Sequence, residues 1–151
     1  MYVREVGVNH PIRVVIVDTD GTSRQMARRW FEGVSDILVA GEGPGGQDII
    51  GWLVHVQPDV VLMDVRAATA AQVRAVVALA RVVVIHEAGQ EALVLEALRA
   101  GALGNLDRQN VRPPQAVAAV RAVSRGEAVL SPALAGRIVE EVVGRQRKYG
   151  Q

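Results

Sequence analysis

The stretch IRVVIVDTDGTSRQMARRWF, Ile12 to Phe31, passes from an apolar run to an amphipathic one across two carboxylates, Asp18 and Asp20. Ile12–Val17 is rich in β-branched residues with one polar interruption, as a strand buried on both faces should be. From Thr22 to Gly33 apolar residues recur at helical spacing. Met26, Ala27, Trp30 and Phe31 fall on one side, and Arg24, Arg28 and Arg29 mostly on the other. The stretch therefore reads as a strand feeding a helix, and the fold depends on whether that unit repeats.

It does repeat. Asp36–Gly41 (DILVAG), Asp59–Asp64 (DVVLMD), Arg81–His86 (RVVVIH) and Ala102–Leu106 (ALGNL) read as further strands. Helical segments are predicted over Gln47–Gln57, Ala70–Ala80, Gln90–Ala100 and Pro114–Arg125, the last entered through Pro113 and Pro114, where a missing N–H costs nothing. Strict alternation implies a parallel sheet with right-handed crossovers and helices on both faces. Five strands in this length fit a flavodoxin-like α/β fold of order 2-1-3-4-5.

Ser131–Lys148 lies outside the alternation. It opens on a Ser–Pro helix start and places Leu134, Ile138 and Val142 at i, i+4 and i+8, a sixth helix. Such a helix either folds back on the domain or serves as a linker or dimer element. The closing RQRKYGQ reads as a frayed end.

Composition narrows the classes of function. The 151 residues suffice for one ordinary domain. Half are hydrophobic and 22% charged, a globular balance. A net charge of +1 gives no general affinity for nucleic acid or anionic membrane. With no cysteine, disulfides, thiolate metal sites and cysteine nucleophiles are excluded. No apolar run approaches the ~20 residues that span a bilayer, and the first residues lack a signal-peptide stretch, so a soluble, cytoplasmic protein is expected.

Ligands of open parallel sheets bind beyond the carboxyl ends of the strands. Strand 1 ends in Asp18-Thr19-Asp20, strand 3 in Asp64, strand 4 in His86-Glu87, and strand 5 runs into Asp107-Arg108. These polar groups converge on one rim. Clustered carboxylates repel unless a cation lies between them, and hard oxygen ligands suit Mg²⁺. Arg108 is placed to bind phosphoryl oxygens. His86 is either a hydrogen-bonded rim residue or a partner for Asp64 or Asp18. His10 and His55 read as surface residues.

Two local motifs compete. VVIVDTDGT resembles the nucleophile motif of haloacid-dehalogenase phosphatases, which would make Asp18 the nucleophile and Asp20 the acid/base. The rest of the chain does not follow: the one lysine, Lys148, sits in the tail, and no cap domain fits the length. GEGPGG, Gly41–Gly46, satisfies a dinucleotide-binding pattern but follows the second strand and contains Pro44, so a flexible loop is expected there.

Residues 12–135 as a whole resemble the receiver domain of NarL/LuxR-type response regulators. IRVVIVD is similar to the first strand, QPDVVLMDVR to the third, ALRAGALGNL to the fourth helix and fifth strand, and AVRAVSRGEAVLSPALAGRIVEE to the fifth helix and linker. The resemblance implies that Asp64 is the phospho-acceptor and that Asp18 and Asp64 are metal ligands for Mg²⁺. Several positions depart from the pattern. Thr19 stands where a second metal-binding acid is expected, His86 at the switch Thr/Ser, Asn105 at the switch aromatic, Arg108 at the lysine, and Ala67-Ala68-Thr69 at a Met-Pro-Gly turn.

The resemblance thus implies a regulatory receiver of a transcription regulator, no enzyme, with weak or absent Mg²⁺-dependent phosphorylation. Its output would run through dimerisation, a partner or a small-molecule ligand. The implied layout is an N-terminal extension over 1–11, a receiver over 12–127, and a linker helix and tail over 128–151. The fourth and fifth helices carry apolar or small residues on more than one face, with Val117, Val120 and Val123 toward the sheet and Ala116, Ala118, Ala119 and Ala122 elsewhere; a homodimer is expected. A histidine kinase is a possible upstream partner. DNA would be met only through a helix-turn-helix domain absent from these residues, and no membrane contact is expected.

Overall fold

The computed structural model describes residues 10–149; most of the expected N-terminal extension lies outside them. Five parallel strands, β1 (Ile12–Val17), β2 (Ile37–Gly43), β3 (Val60–Asp64), β4 (Arg81–His86) and β5 (Gly104–Asp107), form one sheet of order β2-β1-β3-β4-β5. The helices are α1 (Gly21–Arg29), α2 (Ile49–Val56), α3 (Ala70–Val77), α4 (Glu91–Arg99), α5 (Pro113–Ser124) and α6 (Pro132–Tyr149).

The apolar strands explain the three layers. Alternate side chains leave a strand on opposite faces. Val15, Val17, Val61, Met63, Val82 and Val84 pack toward α2, α3 and α4. Val14, Ile16, Val60, Leu62, Val83 and Ile85 pack toward α1 and α5. The three central strands are therefore buried on both sides, and their carboxyl ends form the rim.

Several boundaries and faces differ from the sequence reading. Met26, placed on the buried side of the first helix, is 54% exposed. α1 ends at Arg29 and pivots on Ala27, while Phe31 reaches the core from the turn beyond it. The glycine stretch is half strand: β2 continues to Gly43, and a Cβ at Gly41 would stand 3.1 Å from the Trp52 ring. Those glycines admit an indole against the edge strand, and the expected loop begins only past Gly43. In α5, Ala116 and Ala119 are buried beside Val117, Val120 and Val123, so the helix is apolar toward the sheet rather than all round.

The sixth helix continues through Tyr149, where a frayed end was expected from Arg145. It folds back on the domain. Leu134 is buried in the cluster that contains Val94 and Leu95 of α4, Ile138 packs against the same cluster, and Glu141 accepts from Arg99 at 2.9 Å. The opposite side leaves Val139, Val142 and Val143 exposed. The segment before it runs along the outer edge of β5: Val129 donates to Leu103 O at 3.0 Å, and Asn105 donates to Val129 O at 3.1 Å. A Cβ on Gly104 would lie 2.6 Å from that carbonyl, so glycine is what lets the strap approach.

Candidate functional site

Asp18 and Asp64 lie where β1 and β3 give way to loops, and each is only 2% exposed. Two buried carboxylates side by side are costly without a cation. Arg108, just past β5, supplies it. One nitrogen, Nη2, donates to Asp18 Oδ2 at 2.7 Å and to Asp64 Oδ2 at 2.9 Å. The loop that carries Arg108 is itself pinned, because its backbone N–H donates to His86 O at 2.8 Å.

The remaining oxygens are also engaged. Asp18 Oδ1 accepts from the Asp20 N–H at 2.9 Å, and Asp64 Oδ1 accepts from the Arg66 N–H at 2.8 Å. The Arg66 side chain adds a contact at 3.4 Å to the same atom. All four carboxylate oxygens therefore have donors within the chain. This arrangement does not fit Mg²⁺, which takes hard oxygen ligands, unless Arg108 moves away. Thr19 is exposed and supplies no carboxylate. Among the described residues no group of three or more His, Asp or Glu side chains is placed to hold a metal ion.

Asp20 is elsewhere. Its carboxylate caps α1, accepting from the Thr22 and Ser23 N–H groups at 3.3 Å each and from the Ser23 hydroxyl at 2.8 Å. The Ser23 hydroxyl first, and then the Thr22 N–H, hold its carboxyl below the usual range. An aspartate committed to a helix N-terminus is an ordinary N-cap, which accounts for DxDGT without a second catalytic acid.

His86 does not pair with Asp18 or Asp64 by any hydrogen bond. Its Nε2 is 2.9 Å from Asn105 Nδ2, and its Nδ1 is 3.2 Å from Glu87 O. Asn105 reaches on to Ser131, where the chain enters α6. The strand ends thus carry two clusters: Asp18, Asp64 and Arg108 in one, His86, Asn105 and Ser131 in the other. Sequence reasoning missed Arg66 and Ser131 as members. The Ser–Pro helix start was a visible cue for a cap, but nothing local could reveal that it meets β5.

A cavity of about 260 Å³ lies between α3 and α4 and reaches Asp64. Met63, Ala68, Val73 and Leu93 make it apolar, and Thr69 and Glu96 supply polar groups.

No family model matches the chain. The chain is 32% identical over 136 residues to the uncharacterized transcriptional regulatory protein YxjL of Bacillus subtilis, covering 86% of this chain and 62% of that protein. It therefore spans less than two thirds of that relative's length. The signal receiver domain of the putative response regulator NarL from Mycobacterium tuberculosis superposes with a TM-score of 0.66 at 27% identity, covering 78% of this chain and 99% of the domain. A two-component response regulator of the LuxR family from Aurantimonas superposes with a TM-score of 0.71 at 25% identity, covering 88% and 99% of the two chains. Sequence relatives and fold agree: the chain is similar in sequence to NarL/LuxR-type response regulators and has the fold of their receiver domains.

Proposed function

We propose that this chain is the regulatory receiver of a transcription regulator in which Arg108 takes over the neutralising work of a metal ion. Mg²⁺-dependent phosphorylation at Asp64 is then weak or absent, and output runs through dimerisation or through a partner or ligand. The observation that carries this reading is the single Arg108 nitrogen bonded to both Asp18 and Asp64. A cation that bound those carboxylates would have to displace a buried ion pair that already satisfies them. The molecule acts as a regulatory module rather than an enzyme, since the second acid of the phosphatase motif is committed to capping α1.

Residues 12–127 form the receiver in this reading, and 128–151 the linker. DNA is met by a helix-turn-helix domain outside these residues, in keeping with the 62% of YxjL that the chain spans. A cytoplasmic location fits, as no helix among the described residues is long and apolar enough to cross a membrane. A small ligand would enter the cavity between α3 and α4. The homodimer forms through the exposed stripe Val139, Val142 and Val143, one turn-spaced face of α6.

Sedimentation velocity tests the proposal. A dimer is expected with and without Mg²⁺ and acetyl phosphate, and Val142→Asp is expected to give monomer. A monomer that dimerises only with the phosphate donor contradicts it.

One observation favours a second reading, a phospho-accepting receiver. Among the described residues, Arg108 Nη1 is buried without a hydrogen-bond partner, an unspent donor on the guanidinium that already touches Asp64. A phosphoryl oxygen on Asp64 would supply an acceptor for it.

A further inference from the structure

His86 and Asn105 occupy neighbouring strands, and their side chains meet inside the protein, 5% and 2% exposed. Asn105 spends both ends of its amide. Oδ1 accepts from the Ser131 N–H at 3.0 Å, while Nδ2 donates to Ser131 Oγ at 3.1 Å and faces His86 Nε2 at 2.9 Å. A backbone N–H can only donate, so Oδ1 must be the atom that meets Ser131. Nδ2 must then point at the imidazole, and Nε2 must accept. The ring proton is left on Nδ1, where Glu87 O lies 3.2 Å away to receive it. One amide orientation and one tautomer satisfy every group.

The chain of bonds ends on the linker. Ser131 Oγ accepts from the Leu134 N–H at 3.4 Å, the cap at the start of α6. The main-chain strap at Val129 runs alongside but contains no titratable group. The side-chain path does. An imidazolium carries an N–H on both ring nitrogens and accepts from neither. Turning the amide would offer Oδ1 to the ring but set Nδ2 against the Ser131 N–H. No orientation of Asn105 serves both partners once the ring is charged.

We infer that His86, Asn105 and Ser131 form a proton-sensitive latch, closed on the neutral imidazole and opened by its protonation, that holds the start of α6 on β5. The charged groups around the ring are few. Glu87 follows it and approaches Arg108 Nε at 3.9 Å. Asp107 lies opposite on β5, with its oxygens accepting from Gln109 and Asn110. Glu91 of α4 has its carboxyl held below the usual range, by its own backbone N–H first and only after that by His86 and by Arg137 of α6. On β3, Asp64 pairs in register with Ile85 and is neutralised by Arg108. None makes a hydrogen bond to the ring, so opening follows from the lost acceptor. The closed latch binds one proton fewer than the open one. Linker docking is therefore full above the imidazole's titration and weakens as pH falls through it. The latch is independent of whether Asp64 accepts phosphate.

Amide exchange and ring ¹⁵N shifts, followed by NMR on the full chain from about pH 8 to about pH 5.5, report linker docking and ring protonation side by side. As the His86 ring titrates, protection of the Ser131 and Leu134 amides, corrected for intrinsic exchange, is expected to fall roughly tenfold, the scale of one lost hydrogen bond. Amides of β1 and β3 keep their protection. Asn105→Leu should leave those two amides poorly protected at every pH, and His86→Phe should abolish the pH dependence. An imidazole that does not titrate in this range overturns the latch. So does unchanged protection across its titration, or a loss shared equally by the core strands; these readings need no variant to fold.

Discussion

Arg108 Nη2 bonds two buried carboxylates at 2.7 and 2.9 Å, so the stability of the rim depends on one guanidinium. Removing one member of a buried ion cluster leaves an uncompensated charge and typically costs about 3–5 kcal/mol. Arg108→Ala is therefore expected to unfold by about that much more easily in urea. The same variant frees two carboxylate oxygens, so millimolar Mg²⁺ should raise its melting temperature while leaving the wild type unmoved. Equal Mg²⁺ responses in both proteins would mean that the metal and Arg108 do not compete. Asp20 carries a different pH signature. Its folded carboxyl lies below the ordinary range through the Ser23 hydroxyl and the Thr22 N–H. Its contribution is thus present above the ordinary carboxylate range and is lost as pH falls through its lowered value. Asp20→Ala should reduce stability at neutral pH and flatten its decline on the acid side, read from urea midpoints across pH.

At the scale of elements, the contacts that attach α6 and the strap before it differ in weight. The Arg99–Glu141 pair is about half exposed and solvent-screened, so Glu141→Gln should change stability by less than about 1 kcal/mol. Leu134 is 2% exposed among α4 side chains, and Leu134→Ala should cost about 2–5 kcal/mol of α6 docking, seen as loss of amide protection confined to the helix. Gly104→Ala should displace the strap, because its methyl would meet the Val129 carbonyl at 2.6 Å. Exchange at Val129 and Asn105 reports that displacement, and unchanged exchange there would contradict the close approach. The helix itself was legible from Leu134, Ile138 and Val142, but its docking face was not. Leu134 and Ile138 turn inward while Val142 stays 51% exposed, since each step of four residues drifts about 40° further round the helix axis.

For the molecule as a whole, the repeating strand–helix pattern made the sheet order readable, because apolar runs buried on both faces have few alternatives. It also made the convergence of Asp18, Asp64 and Arg108 readable, since all three follow strand ends on one rim. What the pattern could not carry was which oxygen meets which nitrogen. Asp20 is two residues from Asp18 yet points to α1, and His86 bonds sideways to Asn105 rather than to the carboxylates. Those outcomes depend on backbone direction after each strand, which residue type alone does not set. The result is a receiver fold whose acidic pocket is closed by its own arginine. Intact mass after incubation with acetyl phosphate and Mg²⁺, compared with Asp64→Asn, tests that claim most directly. The expected result is an Asp64-dependent phosphoryl adduct that is weak or absent at Mg²⁺ concentrations that fully label an ordinary receiver. Robust labelling of the wild type, abolished in Asp64→Asn, would contradict it.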